Sequence, residues 1–269
     1  MAGSIETTTE QHGVQRITLT RSDVHNAFDD KVIKELHETL DALKADNPRV
    51  LVLQAQGKSF SAGADLNWMK KSANYSRDEN FRDAQALSAM LNALDSFPAT
   101  TIASIQGTAL GGGVGLAACC DIAIASTAAV FALTEVRLGL IPGTISPFVV
   151  RAIGPRQARR YFTTAERFDA ATAQRIGLVH EVVEPDVLST KVDELITQLL
   201  QSSPDAQRKA KNLVNQVAPR VMGGLDGKGI DQSLLDDTAA SIADARASDE
   251  GREGVSAFLE KRKPNWIVS

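Results

Sequence analysis

Residues 106–121 read Gln-Gly-Thr-Ala-Leu-Gly-Gly-Gly-Val-Gly-Leu-Ala-Ala-Cys-Cys-Asp, and this stretch restricts the fold more tightly than any other. An apolar, strand-like run at 99–105 leads into it, and a run of small apolar residues leads out as a close-packed helix. Gly111, Gly112 and Gly113 remove every side chain from the junction. The backbone can then come close to a ligand, and the first N–H groups of the helix lack intrahelical partners. Donors at the positive end of a helix dipole suit an oxygen that carries negative charge. Alone, the triplet fits a plain packing turn better than a site. A second glycine-containing turn upstream and a glutamate downstream shift that balance.

A chain of 269 residues is long enough for one large α/β core with a small appendage. The formal net charge of −4 leaves no electrostatic footprint for nucleic acid. No apolar run reaches the roughly 18 residues that a membrane helix needs. The polar start, without a basic-then-apolar leader, makes the cytoplasm the expected location. Cys119 and Cys120 are adjacent in a small apolar segment. That spacing suits neither a disulfide framework nor a zinc site, and buried reduced thiols are expected.

Residues 11–20 read as a first strand and 29–45 as an amphipathic helix. Asp29 and Asp30 stand at its amino end, and Val32, Ile33, Leu36, Leu40 and Leu43 fall at helical spacing. Residues 50–53 form a continuous apolar run, the pattern of a buried parallel strand. The second glycine turn follows at 56–66. Loops at strand ends carry ligand contacts in open α/β sheets, although a plain connection also fits here. The polar stretch 67–83 is expected to form a flap over a site, ahead of a helix at 84–94. Short strands at 121–126 and 130–133 precede Glu135, an acid in a mostly apolar stretch. Desolvation there would raise its pKa and let it exchange protons near neutrality. A helix-terminal carboxylate, or an ion pair with Arg137, accounts for it equally well. Helices at 147–153 and 155–163 flank Gly154-Pro155, and another helix at 170–176 precedes a short strand at 179–183. Four further helices are expected at 187–200, 204–217, 233–247 and 250–262. The change to all-helical pattern divides the chain into a core at 1–200 and a C-terminal helical region at 201–269, whose Gly223, Gly224 and Gly227 loosen one connection. No fixed-period repeat is evident.

Asn26-Ala27-Phe28, Phe60-Ser61-Ala62-Gly63-Ala64-Asp65, Ala109 to Gly113, Cys120-Asp121-Ile122, Glu135 to Pro142 and Ala257 to Lys263, in this order, resemble the crotonase (enoyl-CoA hydratase/isomerase) superfamily. The resemblance implies an α/β fold, a spiral of β-β-α units with a C-terminal helical trimerisation region. The assembly it implies is a homotrimer or a dimer of trimers. The partner is an acyl-CoA thioester substrate; no separate cofactor, metal, membrane or nucleic acid is implied. By resemblance, the backbone N–H groups of Ala64 and Gly112 form an oxyanion hole, and Glu135 handles protons. A thioester enolate concentrates charge on one oxygen, and two preorganised donors stabilise it more in the transition state than in the ground state. Asn26, Ala27, Ala62, Gly63, Asp65 and Leu66 are implied contacts of the CoA groove. Phe258 and Lys261, from a neighbouring subunit, are implied contacts of the adenosine end; an amphipathic helix with Phe258 inward and Lys261 solvated is the plainer alternative.

Well-known hydratases of this family carry two glutamates. Glu135 matches the second, and the first falls at Gly115, which cannot hold a proton, so Glu135 would serve water and C2 alone or share that work with a water chain near Gly115. Family isomerases commonly rely on one glutamate at the Glu135 position. Against that, 61–75, 135–151 and Arg159-Arg160-Tyr161 resemble the bacterial 3-methylglutaconyl-CoA hydratases of leucine breakdown. The second carboxylate of that substrate needs a donor, for which Lys70, Lys71 and Arg137 are candidates. The sequence thus points to a carbon–oxygen lyase of the enoyl-CoA hydratase type. An isomerase, or a non-catalytic acyl-CoA- or RNA-binding member, is the alternative.

Overall fold

The computed structural model describes residues 3–222 and 230–267. Gly223, Gly224 and Gly227, expected to loosen a connection, lie outside the described residues. The chain opens with strand β1 (Ile5–Thr9), antiparallel to β2 (Val14–Leu19). A left-handed His12 and Gly13 turn the chain between them, so the strand expected from residue 11 begins only at Val14. Helix α1 (Asp30–Ala45) follows, capped by Asp29, whose carboxylate accepts from the amides of Lys31 and Val32. Its stripe Val32, Ile33, Leu36, Leu40 and Leu43 is buried, as the spacing predicts.

Three β-β-α turns come next. The first contains β3 (Val50–Ala55) and β4 (Ser59–Ser61), followed by α2 (Leu66–Ser72) and α3 (Arg77–Asp95). The second contains β5 (Thr100–Ile105), β6 (Thr108–Leu110) and α4 (Gly112–Cys119). The third contains β7 (Ile122–Ser126), β8 (Val130–Ala132) and α5 (Ser146–Thr164). Strand β9 (Phe168–Asp169), helix α6 (Ala170–Arg175) and β10 (Glu181–Val183) complete this part. The first strand of each turn joins a six-stranded sheet ordered β1-β2-β3-β5-β7-β10, and the second joins a four-stranded sheet ordered β4-β6-β8-β9. All pairs between successive turns are parallel, with Val50 opposite Thr100 and Ile102 opposite Ile122. Parallel neighbours need a crossover, and the helices of each turn supply it. The expected spiral of β-β-α units is therefore present.

The expected flap at 67–83 is helical apart from the turn at 73–76. Asp65 caps α2, and α3 begins at Arg77 behind a capping box in which Ser76 and Glu79 satisfy each other's backbone N–H groups. Helix α5 breaks at Gly154 (φ 73°, ψ 160°), between its two predicted halves.

The described chain forms two compact units, Met1–Leu195 and Ile196–Ser269, and the division falls inside α7 (Leu188–Leu200). The second unit contains α8 (Pro204–Met222), α9 (Gln232–Ala247) and α10 (Asp249–Leu259). Within it, Trp266 Nε1 donates to Gln201 O at 3.1 Å, and Arg262 forks onto Glu253 at 2.6 and 2.8 Å. That guanidinium pulls the Glu253 pKa down to about 2. Among the described residues no helix is long and apolar enough to cross a membrane, and no group of His, Cys, Asp or Glu is gathered to hold a metal ion.

Candidate active site

The second glycine turn pairs with the turn before α1. Phe28 N–H donates to Gly63 O at 2.7 Å and Asp65 N–H to Phe28 O at 2.7 Å, an isolated parallel bridge centred on Ala64. The amide of Ala64 itself donates to no acceptor among the described residues. Gly63 has φ +83°, and a Cβ there would stand 2.9 Å from Leu110 O and 3.7 Å from Gly112 N. The two glycine turns thus lie against each other through backbone alone. Gly111 (φ 49°, ψ −112°) turns the chain into α4, where the first bond along the helix runs from Gly115 N–H to Gly111 O at 3.1 Å. The amide of Gly112 therefore has no intrahelical partner. A side chain at 112 is excluded, since its Cβ would meet Phe28 Cε2 at 2.7 Å.

Ala64 and Gly112 border an open-mouthed cavity of about 370 Å³, walled also by Trp68, Met69 and residues of the segment 138–145. Glu135 enters it as the first residue of a short 3-10 turn, Glu135–Leu138. It is the one ionisable residue among the described residues lining the cavity. Its Oε2 is buried without a hydrogen-bond partner, and Oε1 would lie 3.1 Å from a Cβ placed on Gly111. Burial pushes its pKa up, and its own backbone amide offsets only part of that. No ion pair joins it to Arg137 among the described residues, so that reading of Glu135 does not hold; a helix-terminal position does describe it.

Of the other predicted site residues, Ala62, Gly63 and Leu66 border the cavity, Leu66 with 74% exposure. Asn26, Ala27, Asp65 and Gly115 do not. Asn26 is buried and donates to Gln56 O and Ser59 O at 2.9 and 2.8 Å, which ties the two turns together. Ala27 is buried and its carbonyl accepts from Arg21 Nη1 at 2.8 Å. Asp65 spends its carboxylate on the amides of Asn67 and Trp68 and on Arg21. Burial presses its pKa upward, but those amides and Arg21 outweigh it and hold the carboxyl below its usual value. These three are scaffold of the turn, with no side-chain atom in the cavity. At Gly115, a Cβ would stand 2.4 Å from Ile145 Cγ2 and 3.7 Å from Leu91 Cδ2. Ile145 fills that space and itself lines the cavity.

Lys71 binds Asp30 at 3.3 Å, and neither it, Lys70 nor Arg137 borders the cavity. Phe258 and Lys261 belong to the second unit; Phe258 is 82% exposed, not packed inward. The apolar wall of Leu138, Leu140, Ile141 and Ile145 is absent from the predicted site. Its signal, an apolar run beside an acid, was present in the sequence without any indication of which face it would present.

The sequence pattern of the enoyl-CoA hydratase/isomerase family matches residues 9–268. The chain belongs to the enoyl-CoA hydratase/isomerase family. Among its relatives, a crotonyl-CoA hydratase of Syntrophomonas wolfei is 34% identical over 93% of this chain and 92% of its own length. An enoyl-CoA isomerase/hydratase, fer4, of Mycosarcoma maydis is 32% identical over 96% of this chain and 94% of its own. A solved enoyl-CoA hydratase from Shewanella pealeana superposes with a TM-score of 0.90 at 45% identity, covering 98% of this chain and 96% of that one. An enoyl-CoA substrate is consistent with membership of the family, and the cavity holds what acid–base chemistry on a thioester requires: unpaired amides and one desolvated carboxyl.

Proposed function

We propose that the protein hydrates a 2-enoyl-CoA, adding water across the 2,3 double bond, and that its substrate is 3-methylglutaconyl-CoA. The observation that carries this reading is the unpaired amides of Ala64 and Gly112 bordering one cavity with the desolvated Glu135. In this reading the thioester oxygen accepts from both amides. Ionised Glu135 takes a proton from water as the water oxygen bonds to C3. The alkene electron pair moves through C2 onto the thioester oxygen, where the amides stabilise it. Glu135 then returns the proton to C2 and the carbonyl reforms, so the sum is one water added and the carboxylate regenerated.

The choice of substrate draws on the likeness of 61–75 and 135–151 to 3-methylglutaconyl-CoA hydratases. Those stretches contribute most of the cavity wall, including Trp68, Met69 and Ile145. No Lys or Arg lies among the described lining residues, so the distal carboxylate would find its donor beyond them, at the mouth or on a neighbouring subunit. One observation favours a second reading: with Ile145 over Gly115, the cavity has a single proton-handling group, which is all that a 2,3-to-3,4 bond migration needs. Turnover of 3-methylglutaconyl-CoA, crotonyl-CoA and a 3-enoyl-CoA in heavy-oxygen water, read by product mass, separates the two. One labelled water gained, at the highest kcat/KM with the branched dicarboxyl thioester, supports the proposal. Migration of the double bond without label would replace it with the isomerase.

Exposed Val255, Phe258 and Leu259 on the C-terminal unit support the trimer or dimer of trimers implied by the resemblance. Sedimentation equilibrium should then give three or six times the 28.8 kDa chain mass. A mass of one chain at micromolar concentration would rule that assembly out.

A further inference from the structure

Arg21, in the turn after β2, borders no part of the cavity, yet its guanidinium joins both turns that frame the Ala64 amide. Nη1 donates to Ala27 O at 2.8 Å and lies 3.2 Å from Asp29 Oδ2; Nη2 donates to Asp65 Oδ2 at 3.1 Å. Both carboxylates are divided in the same way. Asp29 Oδ1 caps α1 through the amides of Lys31 and Val32, which leaves Oδ2 for Arg21. Asp65 Oδ1 caps α2 through Asn67 and Trp68, which again leaves Oδ2 for Arg21. The Phe28–Ala64 bridge runs between these two caps, with its 2.7 Å bonds on either side of Ala64. Phe28 also sets its ring edge where a side chain on Gly112 would stand. A shift of the 27–29 segment relative to 63–65 would therefore move the Ala64 amide and the support of Gly112 together.

We propose that Arg21 is a positioning residue: by clamping the caps of α1 and α2 to one planar cation, it fixes the Ala64 amide at the height where a thioester oxygen accepts from it. The planar guanidinium suits this, because its N–H groups reach two carboxylates and a carbonyl at once, which a lysine ammonium does not do in one plane. The inference rests on the reading of Ala64 and Gly112 as thioester donors. Displacement of such a donor by about 1 Å costs about a hundredfold in rate.

The test uses a cinnamoyl-CoA as a chromophoric 2-enoyl thioester. Its absorbance shifts to the red on binding when the carbonyl is polarised, so it reads the amides and not the general stability of the fold. Wild type is compared with Arg21→Met, Arg21→Lys and the double variant Arg21→Met/Asp65→Asn, in which the helix keeps a capping side chain without an unpaired charge. The expected result is a red shift in wild type that is mostly lost in all three folded variants. With it should go a drop in kcat of about tenfold to a hundredfold and a smaller change in KM. Should Arg21→Met not fold, Arg21→Lys and the double variant carry the same comparison. A full red shift and full kcat in a folded variant lacking Arg21 would overturn the inference, as would their recovery in the double variant, since Arg21 would then only neutralise Asp65. A wild type with no red shift would remove the reading of the amides, and this inference with it.

Discussion

A methyl group on residue 115 would stand 2.4 Å from Ile145 Cγ2, closer than packed carbon atoms approach. The helix holding Gly115 is buried on nearly every side, so neither partner has room to yield. Gly115→Ala should therefore lose about 1–3 kcal/mol of stability in urea titration. In a double-mutant cycle Gly115→Ala should cost less on an Ile145→Ala background than on the wild type, because the offending methyl is gone; a neutral Gly115→Ala would show that Ile145 does not fill this space. The absence of an acid at 115 was legible in the sequence. Its occupant was not, because Ile145 comes from a distant turn and nothing in its own neighbourhood identifies the space it enters. Glu135 shows the opposite case. An acid in an apolar stretch announced its desolvation, and the structure leaves Oε2 buried without a partner. For Asn26, Ala27 and Asp65 the motif was visible but the direction of the groups was not: their polar atoms serve the turns instead of the cavity.

The same contrast holds among the elements. Helix α1 was legible because its apolar stripe and its Asp29 cap agree. Leu40, fully buried on that stripe, should cost about 2–5 kcal/mol when truncated to alanine, read by chemical denaturation, with kcat per folded molecule unchanged. A loss below that range would mean the stripe is not the core face. Helix α2 and the first turns of α3 were missed as ordered structure because 67–83 is polar, and polarity suggested a loop; the rest of α3 lies where a helix was expected at 84–94. The Ser76 and Glu79 capping box was the signal that outweighed it. Strands β4 and β6 are three residues each, too short for alternation to register, and β1 is mostly exposed and polar. Pairing along the spiral makes these segments strands, and pairing is not a local property.

Across the whole molecule, the repeat of β-β-α turns escaped detection because its period varies. The first strands begin at Val50, Thr100 and Ile122, since the first turn carries two helices and the second one short one. What the spiral achieves is convergence: the amide of Ala64 from the first turn, that of Gly112 from the second and the carboxyl of Glu135 from the third border one cavity. The central claim is that this single carboxyl carries out both proton transfers of hydration, from water and to C2, and the pH dependence of kcat/KM tests it most directly. Burial raises the pKa of Glu135, and the ionised form is the base. The rate should therefore be full at high pH and fall as pH drops through one titration lying above the ordinary carboxyl range. Glu135→Gln should lower kcat/KM by about a hundredfold or more and abolish that titration. A bell-shaped profile needing a second essential acid, or a Glu135→Gln variant that hydrates at the wild-type rate, would contradict it.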